Sequence, residues 1–289
     1  MSTETTTSTV PSTVAVLGGG RMGAGIAHAF LTAGARVTVI EIDDHAAQAA
    51  RGRIEDDLTA SIERGKITGE LSDWTDKLTT TTEDSGLGQC ELAIEAVPES
   101  WDLKVSSLKR LEAALPETGW LASNTSSLSI DGLAEQLERP ERFCGLHFFN
   151  PVPASKLVEV VIGARTGDEL KDLAARWVVG LGKTAVTVAD APGFASSRLG
   201  VAIALEAIRM VEDGVASPED IDNAMVLGYK FPIGPLALTD IVGLDVRLGI
   251  AEYLQQELGE RFAPPQLMRQ MVEDGHLGRK SGKGFYDYS

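Results

Sequence analysis

The residues best suited to chemistry are His147 and Glu159. One of only four histidines in the chain, His147 stands near the end of the apolar run "RFCGLHFF" (142–149), and Glu159 stands inside the next, "KLVEVVI" (156–162). An imidazole beside a carboxylate can accept a proton and return it, because the acid orients the ring and stabilises the charge it gains. A core histidine satisfied by a core acid is the competing reading. Metal ligation lacks ligands, since neither the other histidines nor Cys90 and Cys144 fall at a usable spacing. A cluster of small polar residues, "ASNTSSLSI" (122–130), follows another apolar run. It either directs Asn124, Thr125 and Ser126 at a ligand, or forms a plain turn in which Ser127 or Ser129 caps a helix; spacing leaves both open.

A proton acceptor needs a reaction to serve, and "VLGGGRMGAGIA" (16–27) offers one. Gly18, Gly20 and Gly23 fit the GxGxxG pattern directly after a strand and at the opening of a helix, the context that gives the pattern meaning. Gly18 permits a tight turn, Gly20 lets backbone approach a pyrophosphate, and Gly23 allows close packing of helix on strand. Met22 lies in the same turn and is counted among the cofactor-facing residues. The unpaired N–H groups of the helix then face phosphate. Glu41 ends the next strand, where an acid accepts hydrogen bonds from an adenosine ribose and repels a 2′-phosphate, so NAD is favoured over NADP. Asp43 competes for that role but reads better as the N-cap of the following helix. A glycine-rich turn in another kind of α/β protein is the alternative. "GLGKT" (180–184) imitates the end of a P-loop, yet Trp177 stands where that motif needs glycine, so it reads as a helix-to-strand turn.

These residues need a frame, and the chain supplies strands alternating with helices. Strands are expected at 13–18, 36–42, 91–97, 119–123, 142–149, 156–162 and 183–189, with helices at 21–34, 43–65, 101–114, 130–138 and 168–181. This order predicts an α/β fold, a Rossmann-like doubly wound and mostly parallel sheet. From "DAPGF" (190–194) onward only helical patterns follow: 195–213, then 217–227 opened by Ser217 as N-cap with Pro218 behind it, and others to about 273. The expected organisation is a disordered tail over 1–12, a nucleotide-binding domain over 13–190 and an all-α domain over 191–289.

Composition narrows the class. The 289 residues are 43% hydrophobic and 24% charged with a formal charge of −16. That describes a soluble globular chain, and it argues against nucleic acid or an anionic membrane as partner, because no basic cluster offsets the charge. The two cysteines read as buried free thiols in a reducing, cytoplasmic setting. The hydroxyl-rich start lacks the apolar stretch of a signal peptide, and no window is long enough for a membrane helix.

Taken in order, "GGGRMGAGIA", "IEAVPES", "ASNTSSLSI", "GLHFFNPVPASKLVEVV", "PGF" with a following arginine, "FPIGPLALTDIVGLD" and "RKSGKGFYDY" resemble the L-3-hydroxyacyl-CoA dehydrogenases, including the short-chain 3-hydroxybutyryl-CoA type. The resemblance runs from Val14 to Tyr288. It implies reversible, NAD-linked oxidation of (3S)-3-hydroxyacyl-CoA to 3-oxoacyl-CoA. It makes His147 the base that accepts the 3-hydroxyl proton, Glu159 its partner, and Ser126 the residue bonded to the substrate's 3-oxygen. It places Asn150 at the nicotinamide end, with Glu99, Lys104 and Lys280 near the cofactor and Lys66 near the CoA phosphates. It implies too that the C-terminal helices close the substrate cleft and form a homodimer. One departure stands out: "PGFASSR" puts Ser197 where the family commonly has asparagine near the catalytic histidine, a shorter group that still donates and accepts. Rival readings are a same-superfamily dehydrogenase of a free sugar acid such as L-gulonate and a silent NAD(H)-binding structural relative. A Ser126–His147–Glu159 hydrolase would need a GxSxG elbow, which the sequence lacks.

Overall fold

The computed structural model describes residues 10–84 and 86–288. The chain divides into two compact units at the Asp190–Ala191 junction. Most of the expected tail, residues 1–9, lies outside the described residues. Its last part departs from the expectation of a frayed end: Val10 is buried, and Ser12 donates from N and Oγ to the Glu91 carboxylate at 3.0 and 2.5 Å.

In the first unit, strands Thr13–Leu17 (β1), Arg36–Ile40 (β2), Leu78–Thr81 (β3), Leu92–Glu95 (β4), Trp120–Ser123 (β5), Phe143–Phe148 (β6), Leu157–Ile162 (β7) and Thr184–Ala189 (β8) form one sheet in the order β3-β2-β1-β4-β5-β6-β7-β8. Every neighbouring pair is parallel except β6 and β7. Continuous apolar runs such as "TVAVL" and "LAIE" suit strands covered on both faces, and Val14, Val16, Leu92 and Ile94 are fully enclosed. The helices are Arg21–Thr32 (α1), Asp44–Glu63 (α2), Leu71–Thr75 (α3), Trp101–Ala114 (α4), Ile130–Ala134 (α5) and Asp168–Gly180 (α6). On α1, Ile26, Phe30 and Leu31 are fully buried, each contributing about 1.5–3 kcal/mol. Asp43 caps α2 by accepting from Ala46 N at 2.7 Å, and Ser129 caps α5 by accepting from Gly132 N at 3.0 Å.

Two elements were not expected, α3 and β3. The β3 segment "LTTT" has one apolar residue, so hydropathy does not mark it; its threonines suit an edge strand, and it pairs only with β2. Helix α5 also stops at Ala134, short of the expected 138. The order reverses at β1, whose neighbours β2 and β4 are reached in opposite directions. In such sheets ligands bind beyond the carboxyl ends of the strands at this switch point.

The second unit is helical: Ser196–Glu212 (α7), Pro218–Asn223 (α8), Pro235–Val242 (α9), Leu244–Leu258 (α10) and Gln266–Glu273 (α11) around a core that includes Leu205, Ile208, Leu236, Leu254 and Met268. Ser217 caps α8 as expected, but α8 ends at Asn223 and continues as a π-helical turn to Gly228. The C-terminal segment is fastened by two buried acids. Asp240 accepts from Phe285 N and Tyr286 N, both at 3.0 Å, and Asp222 accepts from Tyr286 Oη at 2.8 Å while binding Leu236 N and Ala237 N at the start of α9.

Candidate active site

Antiparallel register sets His147 directly opposite Glu159. Their side chains meet at 2.8 Å between Nδ1 and Oε2, with the histidine 6% exposed and the acid wholly enclosed. A carboxylate only accepts, so Nδ1 carries the proton and the lone pair of the neutral ring sits on Nε2. The Phe149 ring, 4.4 Å away between centroids, packs against the imidazole. The pair is therefore held in one tautomer and one orientation.

Beyond the end of β5, the polar cluster forms a turn organised by Glu99. Its Oε1 accepts from Thr125 Oγ1 at 2.6 Å, from Ser126 N and Ser127 N at 3.0 Å, and from Ser127 Oγ at 3.0 Å. The Ser126 hydroxyl makes only a long contact of 3.3 Å to the same oxygen. Burial pushes the Glu99 carboxyl up, but the Lys104 charge and the bonds from Thr125, Ser127 and Ser126 outweigh it and hold the group below its usual range. Asn124 Oδ1 accepts from Phe148 N at 2.9 Å, which ties this turn to the residue after His147.

Lys104, expected near the cofactor, is 1% exposed, and its ammonium is saturated by the protein itself. It donates to Glu95 Oε1 at 2.7 Å and Val97 O at 3.1 Å, and stands 3.3 Å from Glu99 Oε2. An ammonium has three hydrogens, so no donor is left for a ligand. Sequence reasoning missed Glu95, wholly enclosed at the end of β4. Its signal was an acid within an apolar parallel strand, a place where a charge must find a partner.

The glycine turn lies at the end of β1. Gly18 has φ +94°, and a Cβ there would stand 2.9 Å from Ala96 O; one on Gly23 would stand 1.7 Å from Gly18 O. Gly20 differs: its φ is ordinary, −62°, and a Cβ would meet nothing within 4 Å. Packing within the chain therefore demands glycine at 18 and 23 but not at 20, where bare backbone leaves room for the close approach of a ligand. Helix α1 begins there with no side-chain cap and no acid in its first turn, which leaves its N–H groups suited to phosphate. Glu41 Oε1 accepts from Gly19 N at 2.6 Å, which fixes the carboxylate at the end of β2 beside the turn. These features fit a dinucleotide.

Asn150 is exposed in the connection after β6, preceding a cis peptide bond to Pro151. Lys66 is exposed just past α2, and its charge is felt by Lys183, whose ammonium burial and then Lys66 pull below its usual range. Lys183, also missed from sequence, donates to Val152 O at 2.7 Å and Ser155 O at 2.6 Å, fastening the β6–β7 connection. In the second unit, Ser197 lies in the first turn of α7, and Lys280 pairs with Asp245 at 2.6 Å.

Comparison with known proteins gives a consistent result. Residues 13–191 match the family model described as 3-hydroxyacyl-CoA dehydrogenase, NAD binding domain, and residues 193–288 match that of the 3-hydroxyacyl-CoA dehydrogenase C-terminal domain. The chain is similar to a probable 3-hydroxybutyryl-CoA dehydrogenase of Deinococcus radiodurans, 42% identical over 94% of this chain and 99% of that one. A 3-hydroxybutyryl-CoA dehydrogenase of Mycobacterium tuberculosis is likewise 42% identical, over 95% and 98%. Among solved structures, the (S)-3-hydroxybutyryl-CoA dehydrogenase of Ralstonia eutropha superposes with a TM-score of 0.92 at 40% identity, covering 96% of this chain and 99% of that one.

Proposed function

The chain belongs to the 3-hydroxyacyl-CoA dehydrogenase family and is an NAD-dependent oxidoreductase, and on that premise we propose that it interconverts (3S)-3-hydroxybutyryl-CoA and acetoacetyl-CoA. The observation that carries this reading is the buried His147–Glu159 pair, 2.8 Å apart near the carboxyl end of β6, the same end of the parallel strands at which the glycine turn follows β1. His147 accepts the 3-hydroxyl proton on Nε2, and Glu159 holds the Nδ1 proton and stabilises the imidazolium that results. In the reverse direction the imidazolium returns that proton to the 3-oxygen. Ser126 donates to the 3-oxygen, exchanging its long contact with Glu99 for the substrate. NAD, when bound, supplies the hydride acceptor for C3. Gly18, Gly20, Met22, Gly23 and Glu41 would hold its adenosine and pyrophosphate portion and Asn150 its nicotinamide end, with Glu99, Ser126 and Lys280 as further cofactor residues. Lys104 acts through Glu99. Reduction consumes a proton, so acid favours the hydroxy product.

Lys66 is the residue we assign to the CoA phosphates. Support comes from its exposed cation just past α2. Ser197 keeps a donor and an acceptor where relatives commonly carry asparagine, so activity survives with an altered rate or affinity. A homodimer forms through the helical unit: Leu199 and Ile203 on α7, Leu238 and Ile241 on α9 and Val246 on α10 are exposed apolar side chains, from 36% to 63% open. The protein works in the cytoplasm, a reading supported by two free, buried cysteines and, among the described residues, no helix long and apolar enough to cross a membrane.

The test is NADH consumption with acetoacetyl-CoA, repeated with NADPH, with a longer 3-oxoacyl-CoA and, in the oxidative direction, with L-gulonate. Turnover of acetoacetyl-CoA with NADH well above the others is expected. Preference for the sugar acid, or NADH binding without any turnover, would overturn the assignment.

A further inference from the structure

Glu95 is the most enclosed acid of the first unit whose role the reaction does not explain. With no exposure at all, it accepts from Lys104 Nζ and from Val97 N at 2.7 Å on Oε1, and from Ser123 Oγ at 2.6 Å on Oε2. Both partners lead to the same place. Lys104 reaches Glu99 at 3.3 Å, whose other oxygen gathers the N–H and hydroxyl groups of residues 125–127. Ser123 Oγ accepts from Thr125 N at 3.2 Å, and the backbone oxygen of Glu95 accepts from Asn124 N at 2.9 Å.

Such a cluster is not a cheap way to fill a core. Removing a carboxylate and an ammonium from water costs several kcal/mol per ion, and well-packed apolar residues often serve stability as well or better. What the ionic version adds is direction, because each bond fixes a particular atom. Here the bonds converge on turn 124–127, which is tied on its far side to Phe148 N through Asn124 Oδ1. The turn is thus held between a buried charge cluster and the residue that follows His147.

We propose that Glu95 is a positioning residue: through Lys104 and Glu99 on one side and Ser123 on the other, it fixes turn 124–127 and so sets Ser126 against His147. The inference rests on the reading of Ser126 and His147 given above and extends it to a residue that touches neither substrate nor cofactor.

Glu95→Gln tests it, because the substitution keeps the shape and removes the charge. Amide hydrogen exchange at residues 125–127, measured without substrate, rises at least about tenfold. With acetoacetyl-CoA, kcat falls about 10- to 100-fold, the loss that a small misplacement of a reacting group produces, while NADH affinity, which the glycine turn and Glu41 also support, falls by a smaller factor. Ser126→Ala costs much less in the Glu95→Gln background than in the native protein, since the two losses share one cause. Unchanged exchange in the turn, or fully additive losses, would overturn the proposal. If Glu95→Gln does not fold, Ser123→Ala leaves the ion pair intact and gives a smaller rise in exchange at Thr125; native exchange there counts against the proposal. Should the native protein turn over no acyl-CoA, the assigned function fails, while the exchange measurement still decides whether Glu95 governs the turn.

Discussion

Glu159 holds the Nδ1 side of the His147 ring, and in the proposed mechanism this leaves Nε2 to take the 3-hydroxyl proton. Glu159→Gln should lower kcat by about a hundredfold, within the range that acid–base groups contribute, and leave NADH affinity nearly unchanged in a fluorescence titration. Equal losses in both would make the residue a fold determinant rather than a partner in proton transfer. Ser126→Ala should reduce turnover sharply, and Ser197→Ala by a smaller, measurable factor in kcat or KM; no change at all in the second would remove Ser197 from the site. The glycines were legible in the sequence because their chemistry requires a residue type at the end of a recognisable strand, and His147 with Glu159 stood out as polar residues in adjacent apolar runs, with the family resemblance supplying their role. Lys104 and Glu95 were not. A lysine on a polar helix looks like a surface charge, and only the packing of α4 against β4 reveals the buried acid that it serves.

The contact between α1 and α2 carries a pH response. His28 on α1 is buried with Nε2 at 2.9 Å from Ser61 Oγ on α2, and its Nδ1 has no partner among the described residues. Burial first, then Lys183 and Lys66, push its pKa down to about 4. The unfolded chain, with an ordinary value near 6.5, binds the proton more tightly, so the native state keeps full stability above about pH 6.5 and loses up to about 3 kcal/mol as pH falls towards 4. His28→Gln, which keeps a donor for Ser61, should flatten that acid limb in urea titrations; an unchanged slope would show that other groups cause it. Among the other elements, long apolar strands and capped helices were readable, because periodicity and caps are local. The edge strand β3 and the early end of α8 were not, since pairing with β2 and the π-helical turn after Asn223 depend on neighbours distant in sequence or on packing.

The whole molecule carries a charge of −16, so it must attract anionic CoA and NAD at local positive features rather than by its overall field. The proposed homodimer rests on the exposed apolar residues of the helical unit. Leu199→Glu with Ile241→Glu should halve the mass seen by light scattering, and an unchanged mass would place the dimer contact elsewhere. If Glu41 sets cofactor choice as proposed, Glu41→Ala should narrow the preference for NADH over NADPH, because it removes a carboxylate that repels the 2′-phosphate. The proposed reaction requires that proton transfer belong to the buried histidine. One measurement decides it: NADH consumption with acetoacetyl-CoA by His147→Gln, alongside NADH binding to the same variant. Turnover lower by a hundredfold or more, about the contribution of an acid–base group, with native NADH affinity is the expected result; near-native turnover would contradict the role of His147.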